Sequence, residues 1–234
     1  MRTLFIIFII LFNICSYGMA KKLNWDDAID NAIRRYGLHS EQQLRKFFIQ
    51  KGISYPPKQV ALLAFKKERY IELWAKNITL EHWKYIHTYP LTAFSGRLGP
   101  KLHAGDRQIP EGIYNLMSFN PYSNMHLSML INYPNQFDRM QAIKEGRKNL
   151  GGDIFIHGKS ISVGCLAIGN NAIDQIFTLA RRVGLHNIKV IIAPNDLRKA
   201  KPATINFAQP RWLPILYQQI TQALQEFPNN QYHA

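Results

Sequence analysis

A chain of 234 residues, 47% hydrophobic and only 19% charged, carries enough apolar material for one or two folded domains, which excludes a disordered or low-complexity tail. Lys and Arg total 29 against 15 Asp and Glu, so the formal charge of +14 turns any charge-selected partner toward anionic or phosphate-bearing surfaces. Two cysteines, Cys15 and Cys165, are too few for a disulfide scaffold or a cysteine-rich zinc site.

The chain opens with Arg2, an unbroken apolar run from Leu4 to Phe12, and Gly18 and Ala20 at the −3 and −1 places before Lys21. This pattern predicts a secretory signal peptide over residues 1–20 and a mature protein in the periplasm. A short membrane anchor is the alternative, but the run falls well below the roughly 20 residues that span a bilayer, so no membrane span is expected after cleavage. Ile14 stands before Cys15 where a lipoprotein site needs a small residue, which argues against lipidation. Cleavage would leave Cys165 as the sole thiol. A lone thiol in an exported protein is either a buried, inert side chain or a reactive nucleophile, and frequency alone favours the first. Export also removes nucleic acid from the expected partners and leaves the anionic cell envelope.

In chain order, Trp25, Ala28, Ile29, Ala32, Ile33 and Tyr36 recur at helical spacing behind an Asn24 cap, and Gly37 is read as the stop. Ser40 with Gln43 then suggests a capping box for a second helix carrying Leu44, Phe47 and Phe48, ended by Gly52. The pattern next turns to short strands at Val60–Phe65, Tyr70–Ala75, Trp83–Tyr89, Gly112–Met117, His126–Ile131, Ile154–Ile156 and Lys189–Ile192. Gly and Pro punctuate the interval from Ser95 to Gly112. Ile173, Ile176, Phe177, Ala180 and Val183 mark a helix closed by Gly184, and a last helix runs from Leu213 to Phe227 with Pro214 in its first turn. The class is α+β and β-rich, with an N-terminal helical pair and C-terminal helices.

Chemistry concentrates between Gly151 and Phe177. An apolar strand delivers His157, and eight positions later Cys165 follows Gly164. A thiol needs a base to act at neutral pH, and an imidazole within reach would supply it, giving a thiolate–imidazolium pair and a lowered thiol pKa. Gly158 and Gly164 allow sharp turns and close approach of a substrate to the backbone.

His157-Gly158 followed by Ser162-Val163-Gly164-Cys165 resembles the signature of the L,D-transpeptidase catalytic domain family, the YkuD type. Pro110, Gly112 and Tyr114 fall where that family carries a related upstream segment. The stretches from Gly96 to Leu116 and from His126 to Arg139 are similar to its murein-acting YafK-like branch. The resemblance implies a β-rich catalytic domain over residues 58–234, preceded by a helical extension over 21–57. It also implies a Cys165 nucleophile, His157 as general base oriented by the Gly158 carbonyl, and backbone N–H groups at Gly164 and Cys165 holding an oxyanion. Substrates would be peptidoglycan stem peptides, with a wall-linked protein as a further partner. The outcome would be transpeptidation, or hydrolysis of a diamino-acid cross-link or protein-to-wall linkage, without any cofactor or metal. Val163 and the short His157 to Cys165 spacing depart from many members and favour hydrolysis.

Ser162, Val163, His126, Tyr133 and Arg139 are the candidate substrate contacts, each with a plainer alternative: Ser162 as a loop brace, His126 as a hydrogen-bonded structural side chain, Tyr133 with Pro134 as a turn, and Arg139 as a surface ion pair. Asp106 and Glu111 form a conceivable acid/base pair, with solvated turn formers as the favoured alternative. No metal-ligand spacing or nucleotide loop is present. The competing functional class is a non-catalytic cationic wall-binding module with a degenerate site, which would have no need to keep the thiol.

Overall fold

The structure, a computed structural model, describes residues 24–77, 82–205 and 207–229, so the expected signal peptide lies outside the described residues. Its first element is a single helix, α1 (Trp25–Gln50), where the sequence suggested two. Gly37 does not stop it. A Cβ at Gly37 would lie 3.6 Å from Thr178, which belongs to a second helix packed against this face. Close approach between helices therefore outweighs the roughly 1 kcal/mol that an internal glycine costs. Ser40 bonds back to the Tyr36 carbonyl at 2.8 Å inside the continuing helix instead of capping a new one. The expected stop at Gly52 holds: Gly52 has φ +64°, and the Gly52 and Ile53 N–H groups donate to the Ile49 and Phe48 carbonyls.

Among the described residues eight strands follow: β1 (Gln59–Phe65), β2 (Tyr70–Lys76), β3 (Lys84–Pro90), β4 (Gly112–Asn120), β5 (Ser128–Ile131), β6 (Phe155–His157), β7 (Leu166–Ala167) and β8 (Ile188–Ala193). They form one mixed sheet in the order β3-β2-β1-β8-β4-β5-β6-β7. β4 joins the two halves of the sheet, pairing with β8 through Gly112–Asn115 and with β5 through Leu116–Asn120, the latter with a register shift between Leu116 and Ser118. At the far edge Thr92 N–H donates to the Ala167 carbonyl and Ala93 bridges Ala167, so β7 is tied back to the chain leaving β3 and the sheet curls on itself.

Both faces of β1 are buried, which explains its unbroken apolar run. Val60, Leu62 and Ala64 join the main core under α1 and the helix α3 (Asn170–Val183). Ala61, Leu63 and Phe65 pack on the other face with Trp74, Trp212 and the last helix, α4 (Leu213–Leu224). A short helix, α2 (Gln136–Lys144), was not expected; its Asn135/Asp138 capping box was the sequence signal for it. No helix among the described residues is long and apolar enough to cross a membrane.

Candidate active site

β6 ends on His157, and Cys165 immediately precedes β7. The two strands run parallel, with Ile156 opposite Leu166 and His157 opposite Ala167. Continued by one residue, this register puts Cys165 opposite Phe155, on the same face as His157, since side chains alternate along a strand. The Phe155 N–H indeed donates to Cys165 Sγ at 3.4 Å. Both side chains line a cavity of about 230 Å³, walled by Met125, Phe155, Ile161 and Val163 with Asn120, Ser123, Asn124 and Ser128.

The imidazole of His157 is buried, and its Nδ1 lies 2.6 Å from the Gly158 carbonyl. A carbonyl only accepts, so Nδ1 carries the proton and Nε2 is left as the basic nitrogen. Burial pushes the imidazole pKa below the ordinary histidine range, with the Gly158 bond pulling the other way. Burial pushes the Cys165 thiol up, opposed by the Phe155 N–H and the Lys101 charge. Both shifts run toward the neutral forms, the opposite direction from the lowered thiol pKa that the sequence suggested. Desolvation disfavours both charges. Iodoacetamide alkylation of the free protein should accordingly titrate above the free-thiol value of about 8.5. A midpoint below it would show that the pair is ionised at rest.

Glycine is required at two points. A Cβ on Gly158 would come within 2.8 Å of the Met125 carbonyl, and Gly164 adopts φ +106° with its Cβ position 3.1 Å from the Gln108 carbonyl. Gly164 is not the free oxyanion donor expected, because its N–H donates to Ser95 Oγ at 2.6 Å. Ser162 Oγ donates to the Cys165 carbonyl at 2.8 Å, the bracing geometry, and Val163 is an exposed apolar rim.

The remaining candidates do not line the cavity. His126, at φ +76°, stands behind its wall, with Nε2 2.7 Å from Asp174 on α3 and its ring against Tyr36 of α1. Tyr133 is buried and donates to the Lys101 and Leu150 carbonyls. Arg139 is exposed on α2 and donates to the Pro134 carbonyl. Asp106 is the expected turn former, accepting from the Leu102, His103 and Gln108 N–H groups. Glu111 is not: it is fully buried, 3.0 Å from Lys66 Nζ. Sequence reasoning missed Ser95, Phe155 and the Asn120–Met125 wall. No spacing rule ties Ser95 to a loop 67 positions downstream.

The family model of the L,D-transpeptidase catalytic domain (YkuD) matches residues 61–192, a stretch that contains both His157 and Cys165. The protein named "Putative L,D-transpeptidase YafK" from Escherichia coli K12 is 34% identical over 140 residues, 58% of this chain and 54% of that protein. The chain thus spans about half the length of the curated relatives it matches. Among solved structures, the helical cell shape determining protein Pgp2 from Campylobacter jejuni aligns at 21% identity and TM-score 0.47, over 61% of this chain and 50% of that one. Bd1075 from Bdellovibrio bacteriovorus aligns at 24% identity and TM-score 0.42, over 74% and 57%. With more than half of its length matched by the family model, this chain belongs to the L,D-transpeptidase catalytic domain family.

Proposed function

We propose that the protein is an exported, periplasmic cysteine enzyme that acts on peptidoglycan stem peptides through an acyl-enzyme on Cys165. The observation that carries this reading is the convergence of Cys165 and a buried imidazole, with Nε2 unprotonated, in one apolar cavity. A non-catalytic wall-binding module has no use for a base tied in one tautomer beside a thiol. In the reaction, Nε2 takes the thiol proton as Sγ attacks an amide carbonyl, and the Gly158 carbonyl steadies the imidazolium that forms. The imidazolium then returns the proton to the departing amine, leaving a thioester. A second amine or water attacks the thioester with Nε2 again as base, and the thiol is regenerated. At about 230 Å³ the cavity is below the size of ordinary ligand pockets, so it takes the residue at the scissile bond while the rest of the stem peptide lies on the surface.

The exposed apolar side of the cavity, beyond its polar Asn120, Ser123, Asn124 and Ser128 side, supports water as the acceptor. Val163 is 66% exposed and Ile161 59%, and neither side chain can hydrogen-bond an incoming amine. An acceptor amine gains on water only when the site positions it. Cleavage of a diamino-acid cross-link or of a wall-linked protein should therefore exceed new cross-linking. Incubating the purified mature protein with stem-peptide donor and an acceptor amine, followed by mass analysis, tests both parts. An acyl adduct on Cys165 and mostly hydrolysed donor are expected. Absence of any adduct would overturn the cysteine mechanism, and predominantly cross-linked product would overturn the hydrolytic preference alone.

A further inference from the structure

Three hydrogen bonds around the nucleophile form a chain whose direction is fixed by chemistry. Ser162 Oγ lies 2.8 Å from the Cys165 carbonyl, which can only accept, so the Ser162 proton is committed there. The bond between Ser95 Oγ and Ser162 Oγ, at 3.1 Å, must then use the Ser95 proton. Ser95 Oγ in turn accepts from Gly164 N–H at 2.6 Å. The sequence of donors is Gly164 N–H to Ser95, Ser95 to Ser162, and Ser162 to the Cys165 carbonyl. Each bond polarises the next, so the chain is stronger than three isolated contacts.

The chain clamps the backbone on both sides of the nucleophile, at the amide of Gly164 and at the carbonyl of Cys165. Gly164 needs such a clamp: at φ +106° it has a wide range of alternative conformations once released. Ser95 is itself held on a rigid platform. Gln108 Oε1 accepts from Arg97 N–H, and its Nε2 donates to the Arg97 and Gly99 carbonyls, closing the loop that begins at Ser95. A Cβ on Gly96 would fall 2.0 Å from Gln108 Oε1, so this loop is packed to contact.

We propose that Ser95 is a positioning residue for the nucleophile, setting the orientation of Cys165 through the directed chain Gly164, Ser95, Ser162 to the Cys165 carbonyl. It does not touch the reacting atoms. This inference rests on the cysteine mechanism proposed above, but its structural half can be read without substrate.

The test compares wild type with Ser95→Ala, Ser95→Thr, Ser162→Ala and the double alanine variant. Gly164 amide hydrogen exchange, followed by NMR in the free protein, should accelerate in Ser95→Ala and return toward wild type in Ser95→Thr, which keeps the hydroxyl. Ser95 is half-buried, and a circular dichroism melt checks that the Thr variant folds. With a stem-peptide donor, Ser95→Ala should lower kcat roughly 10- to 100-fold with little change in KM, as expected for a displaced nucleophile. The double variant should cost no more than the worse single one, since both break the same chain. Unchanged Gly164 exchange in Ser95→Ala, a loss confined to KM, no rescue by Thr, or additive losses would each overturn the proposal. A wild-type protein that forms no acyl-enzyme would instead overturn the cysteine mechanism, and the Gly164 exchange rates would still decide whether Ser95 holds the loop.

Discussion

Cys165→Ala should abolish turnover, by at least about 10⁴-fold, with the melting temperature nearly unchanged. The thiol is half-buried and its polar contacts are the weak ones with Phe155 N–H, at 3.4 Å, and the Asp153 carbonyl, at 3.7 Å. Truncation to Ala therefore leaves little unsatisfied. His157→Gln should cost a comparable factor, because burial raises the thiol pKa and the proposed mechanism then leaves no base to take its proton. The two losses should not add: once the nucleophile cannot be deprotonated, removing it as well changes little. Acyl-enzyme formation by intact mass and turnover of a stem-peptide donor supply the measurements, with circular dichroism melts to show that each variant folds. A folded Cys165→Ala protein that still turns over donor would transfer the chemistry to another group.

The direction of these shifts also bears on what the sequence could and could not reveal. The identities of His157 and Cys165 were legible because they stand in a short motif whose glycines are demanded by local geometry. Their charge state was not. It depends on how Met125, Phe155, Ile161 and Val163 wall the cavity, and Met125 reaches it from the turn between β4 and β5. The strands were legible for a similar reason, since runs such as Val60–Phe65 are buried on both faces and read as continuous apolar segments. Continuity through Gly37 was not legible, because the contact with Thr178 that favours it is made across the fold. Ser95 shows the same limit at the site. A serine in a Gly- and Pro-punctuated loop carries no sign that its hydroxyl will meet a backbone amide 69 positions away. Glu111 misled in the opposite direction, since a carboxylate beside a proline turn looks solvated until Lys66 is placed next to it.

That buried pair leads to the largest stability effect expected in the protein. Lys66 and Glu111 are both fully buried, with Nζ 3.0 Å from Oε1. Lys66 also donates to the Gly99 and Ile109 carbonyls at 2.8 Å. Glu111 accepts from Gly99 N–H at 2.7 Å and from the Tyr217 hydroxyl of α4 at 2.8 Å. Burial pushes the Lys66 ammonium pKa down while Glu111 pulls it back, so each charge is tolerated only because of the other. Lys66→Met leaves a carboxylate without its counter-ion in the core and should cost about 3–5 kcal/mol, read from urea unfolding. Adding Glu111→Gln removes the stranded charge; the amide oxygen can still accept from Gly99 N–H, while the amide nitrogen takes the place of the oxygen that accepts from Tyr217 and can only donate to that hydroxyl, so the double variant should recover much, though not all, of the loss. If it recovers nothing, the cost arises from the Gly99 and Ile109 bonds and not from the charge. The effect also reaches the nucleophile. Gly99 and Ile109 belong to the same loop as Ser95 and Gln108, which bear on Gly164. Under conditions where Lys66→Met is still folded, its acylation rate should therefore fall further than its unfolded fraction explains, and the double variant should retain part of that deficit because it lacks the Lys66 bonds to the loop.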